Sequence, residues 1–580
     1  MSFIIGTPQR LGHLPLVMDV YRRSGFPAVI DHGIKQDPRS HVCTSECVAV
    51  ILCGVFVGAH SLWRLRERLA MYDMATIMQD ASFDLERFPE ERLAKALDQL
   101  FACGLDKIMT SIATQVLAQW RLNTEFLHFD TTTLSFYGAY EDEDALPPGD
   151  FPPPRVTFGH SKAHRPDLKQ VVFGSLVSSD GGVPLYGAIM DGNISDSVAA
   201  ASFFRRIRTL VAAPQAVCCV ADSKGWCASV LAVVMDEQLR LLSRLPRTHG
   251  LHAELMARSW DNPQLLTLPA RGTAPADTYQ WHAYDIDCTF TVIDATTADK
   301  SSTRTLQVPA RAVRIYSTAL LRSKLKTLTR TKAREIKAVA NAMRGWQACA
   351  YACADDAQRA SERHCTQATY ITCDLHATIA QHHGPIVRSR GRPRQATEPA
   401  IQTDTHWRVT YHTTPTDDHV ITKRLHDQAC FILIRTRHPD WHISDTDMIA
   451  RYKDQYHVEH GFSWLKSGAL INPMFLDTPR RIAALGFIYC IGLIMWNLIQ
   501  RTVRKNLTAW KKGLPYHRRK PSANITTRFL FELFPSVQTI PITHENGTTT
   551  KQLAGFTEVQ QLACDALGTK NTAFQPIIPS

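Results

Sequence analysis

Residues 482–499 are apolar almost without interruption, and a stretch of that length and character has only two environments open to it. It either crosses a bilayer, whose hydrocarbon core takes about 20 apolar residues as helix, or it is a helix buried on all sides inside a protein. Arg480 and Arg481 before it, and Arg501, Arg504 and Lys505 after it, would suit a span. Against a span stand the short gap back to a polar helix ending near Lys466 and the amide of Asn497 near the far end. Both fit a helix buried beneath a sheet, so the expectation is a soluble protein without a membrane segment.

That polar helix is the second constraint. Ser444, with Asp447 three residues on, reads as a helix start in which the hydroxyl caps backbone N–H groups and the carboxylate lies in the first turn. One long helix is expected to run from there through YKDQYHVEHGFSWLK, residues 452–466. At about 100° per residue, Tyr452, Gln455, Glu459 and Lys466 share one stripe, while Val458, Phe462 and Leu465 face a core. A carboxylate among a phenol, an amide and an ammonium can hold a divalent metal while its neighbours hold phosphate. A solvated helix face has the same spacing.

Two aspartates upstream sharpen the reading. Phe126, Leu127, His128 and Phe129 are strand-like and are expected to end at Asp130. Past an acidic, proline-rich loop (141–154), two strand-like runs flank Asp180-Gly181-Gly182, a hairpin signal. Ser195 and Asp196 can cap a helix to about Leu210, and residues 217–221 make a buried strand ending at Asp222. If the two strands are sheet neighbours, both carboxylates enter one crevice. Asp130, Asp222 and Glu459 are then hard oxygen donors of the kind that two divalent cations need to activate an attacking oxygen and stabilise the leaving oxygen of a phosphodiester.

Charge supplies the substrate class. Lys and Arg number 65 against 54 Asp and Glu, a net +11, which favours a polyanionic partner, nucleic acid before a membrane surface. Residues 501–520 hold eight basic residues and no acid, with Trp510 and Tyr516 interleaved, and Arg518, Arg519 and Lys520 are candidates for the phosphate backbone. Arg392 lies in an Arg-Gly-Arg-Pro stretch suited to a narrow minor groove. His160, Lys162 and Arg165 form a further phosphate-contact candidate, and no GxSxG motif supports a hydrolase there. The 15 cysteines are scattered and form no paired CxxC motifs, so neither zinc nor a disulfide framework is expected.

The boundaries follow these changes of pattern. A helical domain (1–120), either a plain bundle or used for DNA-end binding or dimerisation, precedes the first part of an α/β core (121–245). A β-rich insertion with a basic helix and linker (246–440) separates that from the rest of the core (441–510), and a basic tail (511–580), whose last 30 residues read as peripheral, closes the chain.

The motifs HFDTTTLSFYG, GHSKAHRPDLKQ, DGNISD, VADSK and SRLP, together with residues 452–466, resemble the DDE transposases of bacterial insertion sequences, in the branch with a β-rich insertion before the final glutamate. The resemblance runs over most of the chain. It implies an RNase H-like catalytic core and Mg²⁺- or Mn²⁺-dependent cleavage and joining of DNA through two ions. It also implies binding of terminal inverted repeats and target DNA, a homodimer in the active complex, and a cytoplasmic, nucleoid-associated location. Asp130, Asp222 and Glu459 would ligate metal, and Tyr452 and Lys466 would position DNA. The branch's Tyr, Arg, Glu, Lys signature meets Gln455 where arginine is usual, a group that can still hydrogen-bond phosphate but carries no charge. The alternative is a transposase-derived DNA-binding protein without catalysis.

Overall fold

The computed structural model describes residues 3–34, 40–58, 61–138, 140, 153–162, 164–268, 276–296, 300–367, 373–385, 403–466, 476, 478–516 and 520–578. They form two compact units, the first from residues 1–246, 285–311 and 434–580, the second from residues 247–284 and 312–433.

The centre of the first unit is a mixed sheet whose order from one edge is Pro184–Met190, Lys169–Ser178, Phe126–Phe136, Cys218–Ala221, Arg240–Arg244. The hairpin expected at Asp180 joins the two edge strands, with Gly181 and Gly182 at φ +86° and +70°, the left-handed region in which a side chain is strained. Phe126–Phe136 runs antiparallel to Lys169–Ser178 and parallel to Cys218–Ala221. The strand therefore does not end at Asp130, as the sequence suggested. Three β-branched threonines carry it on, with Thr131, Thr132 and Thr133 opposite Gly174, Phe173 and Val172. It is the neighbour that stops, at Ala221, and this opens the crevice.

Alternation along the strand sets two faces. Phe129 and Thr131 point to the helix Asp196–Leu210, where Phe129 meets Phe203 with ring centroids 4.9 Å apart. His128 and Asp130 point to the opposite face, covered by the helices that end in Lys466 and Ala509.

The apolar stretch lies within the helix Pro479–Ala509, buried along nearly all of its apolar length. It packs against the edge strand Pro184–Met190 and against the N-terminal helices Thr44–Phe56 and Glu90–Cys103. Gly187 allows the approach, since a Cβ there would lie 2.5 Å from Cys490 Sγ. The polar ends are tied down. Asn497 donates to Gly182 O at 2.8 Å, and Arg501 makes a two-pronged pair with Asp180 at 2.8 and 2.6 Å.

Among the described residues between Leu14 and Trp120 most are helical, and Gly104 (φ +91°) separates Glu90–Cys103 from Leu105–Trp120. The expected peripheral tail is corrected. Gln538–His544 pairs with Thr549–Ala554 and with Phe3–Ile5 at the chain's start, and Glu558–Leu567 buries Ala563, Cys564 and Leu567. Apolar positions and a Thr557/Gln560 capping box gave these residues a core to join.

The second unit contains Gln264–Leu268 paired with the start of Asp277–Thr296, the basic helix Thr318–Gln347, and a ribbon of Cys373–Pro385 with Thr403–Pro415 packed on helices. Among its described residues helix exceeds strand, where a β-rich segment was expected. The expected insertion boundaries are also corrected: Asp277–Thr296 and Lys300–Ser317, 20 and 18 residues long, outrun one unit, and residues 285–311 belong to the first.

Candidate active site

Asp130 is the one residue of its strand that is not fully buried. Phe126, Leu127 and His128 lie opposite Cys218, Cys219 and Val220, so the same register carried forward sets Asp130 level with Asp222. Asp222 leaves its strand in a tight turn: its carboxylate accepts from Lys224 N at 3.0 Å, and its carbonyl accepts from Ser243 Oγ at 2.6 Å. Burial raises the pKa of both aspartates above the ordinary carboxylate range. For Asp130, Lys162 and the Thr131 N–H oppose that shift while Asp222 and Asp196 add to it. For Asp222, the Lys224 N–H opposes it and Asp196 adds to it.

The third carboxylate comes from a helix that the sequence reading drew too simply. Ser444 does cap it, accepting from Asp447 N at 3.0 Å, but the expected single helix is two, Asp445–Lys453 and Tyr456–Lys466. At the break the bonds tighten to three-residue spacing, Gln455 N to Tyr452 O and Val458 N to Gln455 O, both 3.1 Å. Gln455 holds the break to the sheet: its Oε1 accepts from His128 Nδ1 at 3.1 Å, and its Nε2 donates to Phe129 O at 3.0 Å. Both ends of the Gln455 amide thus make a bond inside the protein, each keeping one further hydrogen-bonding position. His128 is fully buried, and burial lowers its pKa to about 4, so this link is neutral.

The second of these helices keeps its expected faces. Val458, Phe462 and Leu465 are buried, and Phe462 meets Phe173 of the sheet edge-on. Glu459, Ser463 and Lys466 instead line a cleft of about 530 Å³ together with Asp130, Thr131, Thr132 and Lys162. Tyr452 sits where all three carboxylates act on it. Burial raises its pKa to about 12, Arg244 opposes that, and Asp222, Glu459 and Asp130 each add to it, so the phenol keeps its proton.

Lys162 is the member of the His160, Lys162, Arg165 group that enters the cleft. Its Nζ lies 2.8 Å from Thr131 O, 2.7 Å from Thr131 Oγ1, 3.5 Å from Asp130 and 3.4 Å from Asp196. His160 is exposed, and Arg165 is exposed and paired with Asp167 at 2.6 Å. Lys520 is exposed, whereas Arg392, Arg518 and Arg519 lie outside the described residues. Within the basic run, Arg501 and Arg504 turn inward, Arg504 donating to Ile525 O, while Lys505, Trp510, Lys511 and Lys512 remain at the surface.

Asp196 was read from the sequence only as a helix-start residue. It accepts from Thr131 Oγ1 and from Lys224 Nζ at 2.8 Å; burial opposes its ionisation, but these bonds and Lys162 hold its pKa below the usual range. Lys224 and Ser243 were missed as well, although DGNISD, VADSK and SRLP contain all three. Among the described residues, no three His, Cys, Asp or Glu side chains converge as a ready-made ligand set. The donor types still suit a divalent cation: Asp130 and Asp222 are hard oxygen donors whose negative charge burial and neighbouring carboxylates leave undercompensated.

Stability should register that charge. A carboxyl whose native pKa is raised binds its proton more tightly folded than unfolded, so its contribution is most favourable below the unfolded value and is lost as pH rises through the native one. Asp222→Asn is expected to melt above the parent at pH 8, with the gap closing below about pH 4. Calorimetry across that range checks it, and a variant that melts lower at pH 8 would mean that partners already satisfy the charge.

A family model described as "Domain of unknown function (DUF4277)" matches residues 7–114. No curated protein matches the chain. Among solved structures, a piggyBac transposase synaptic complex with hairpin DNA is 10% identical with a TM-score of 0.24, covering 48% of this chain and 60% of that one. A pre-cleavage Mos1 transpososome (10% identical, TM-score 0.14) and a Mos1 paired-end complex with the left transposon end (12%, 0.13) each cover 38% of this chain, and 64% and 63% of theirs. This chain thus spans less than two thirds of each.

Proposed function

We propose that this chain is a DDE transposase with an RNase H-like core, which binds the ends of an insertion sequence and carries out metal-dependent DNA strand cleavage and strand transfer. The observation that carries the reading is that Asp130 lines one open cleft with Glu459 and Lys466 of the covering helix, while Asp222, just past the end of the adjacent parallel strand and level with Asp130, shares its charge field at Tyr452.

Asp130, Asp222 and Glu459 would hold Mg²⁺ or Mn²⁺. Two such ions supply Lewis acidity that activates the attacking oxygen and stabilises the leaving one. The protonated Tyr452 phenol donates to a phosphate oxygen, and the Lys466 ammonium, on the cleft wall, pairs with the backbone charge. Lys162 balances Asp130 and Asp196 and holds the strand at Thr131. The Thr131 and Lys224 N–H groups donate to the Asp130 and Asp222 carboxylates, Ser243 Oγ donates to the Asp222 carbonyl, and Thr131 Oγ1 and Lys224 Nζ donate to Asp196 behind them.

The direct test uses DNA carrying the inverted repeats that flank the encoding gene. Nicking at the repeat end with Mg²⁺, abolished by chelator, is the expected result. A second reading has its own support, since the three carboxylates do not converge as a ligand set among the described residues. End binding without nicking in either Mg²⁺ or Mn²⁺ would select a catalytically silent DNA-binding protein.

The same reading places the chain in the cytoplasm, with Pro479–Ala509 buried in the protein rather than in lipid. After lysis it is expected in the salt-soluble fraction. Recovery in a pellet that only detergent dissolves would overturn that placement.

A further inference from the structure

A second cationic concavity lies in the first unit, away from the cleft. Its volume is about 490 Å³, and Arg311, Arg435, Arg437, His438 and Trp441 line it beside the start of the helix Asp445–Lys453. Its acids are already paired. Asp445 takes a two-pronged bond from Arg311 at 3.1 and 2.6 Å, and Asp285 lies 3.3 Å from both Arg311 and Arg437.

Arg435 is different. The residue is 8% exposed, its Nε is buried without a hydrogen-bond partner, and its Nη1 donates only to Thr436 O at 3.3 Å. Trp441 lies between Arg435 and Arg240, whose guanidinium carbons are 5.1 and 5.2 Å from the ring centre. His438 Nε2 is buried and unpartnered too. Burial lowers the Arg435 pKa, Arg311 adds to that, and Asp445 and Asp285 oppose it without cancelling it. A helix start adds partial positive charge to the same wall.

We propose that this pocket binds a phosphate group, and that the group belongs to a DNA backbone held outside the catalytic cleft. The anion sits against the Arg435 guanidinium in the pocket lining, while Arg437 closes over it from the rim. Arg240 begins the strand whose far end carries Arg244, beside Tyr452, so pocket and cleft sit at opposite ends of a strand about 13 Å long. The DNA source rests on the function proposed above; the phosphate chemistry does not.

The test uses the full chain. Inorganic phosphate should change tryptophan fluorescence saturably, and the change should vanish in Trp441→Phe. The salt dependence of duplex DNA binding should flatten by about one unit of slope in Arg435→Gln and again in the half-exposed Arg437→Ala, which guards against a misfolded Arg435 variant. Saturable phosphate binding with an unchanged slope would overturn the DNA source and leave a free anion as the occupant. No response of either kind would overturn the pocket itself. A parent protein that never nicks in Mg²⁺ or Mn²⁺, while the Arg435 and Arg437 variants flatten the slope, would sink the catalytic reading alone.

Discussion

Replacing Glu459 with glutamine is expected to cut Mg²⁺-dependent nicking by at least about a hundredfold, the scale on which loss of one electrostatic stabiliser is felt, while DNA-end binding survives. Glu459 lines the open cleft and its carboxylate acts on the same phenol as Asp130 and Asp222, so the three belong to one field of charge. Asp130→Asn and Asp222→Asn should behave alike. Both strand cleavage and strand joining should fall together, because they use one set of ligands with the attacking and leaving oxygens exchanged. Lys466→Ala should lower activity without removing it, through weaker or misplaced binding. Gel-based nicking and joining assays, with a parallel binding assay, separate these effects. A Glu459→Gln protein that nicks at near the parental rate would refute the assignment of this helix.

The second large effect concerns stability, at a place far from the chemistry. Lys551 pairs with Asp73 at 2.8 and 2.9 Å with side-chain exposures of only 7% and 2%. Asp73 also accepts from the Thr76 and Thr539 hydroxyls at 2.8 and 2.7 Å, so one carboxylate joins the N-terminal helices to the C-terminal sheet. Lys551→Ala leaves that carboxylate buried without its cation, which should cost about 3–5 kcal/mol. Replacing both partners with apolar residues should cost less, since no charge is then stranded. Urea unfolding of the two variants provides the comparison. A loss below about 1 kcal/mol for Lys551→Ala would place the pair among exposed bridges of little worth.

Local chemistry carried much of this fold. The apolar run 482–499 required enclosure, Asp180-Gly181-Gly182 required a turn, Ser195 and Ser444 could cap helices, and the strand-like runs at 126–129 and 217–221 placed Asp130 and Asp222 at a sheet. Each depends on residues within a turn or two of one another, whose preferences the sequence states directly.

Tertiary structure decided what depends on distant partners. Whether a strand runs on past Asp130 is settled by Lys169–Ser178 beside it, and the crevice exists because Cys218–Ala221 stops first. The helix breaks at Gln455, whose amide is held by His128 and Phe129 more than 300 positions earlier, a contact no periodicity predicts. Asp196 is a helix start by sequence and, by position, a partner of Lys162 and Lys224, which arrive from other segments. The C-terminal residues have a core to join only once the chain's beginning lies beside them. Periodicity and capping are properties of neighbours in sequence, whereas burial, pairing and shared charge belong to neighbours in space, and those are known only when the chain has folded.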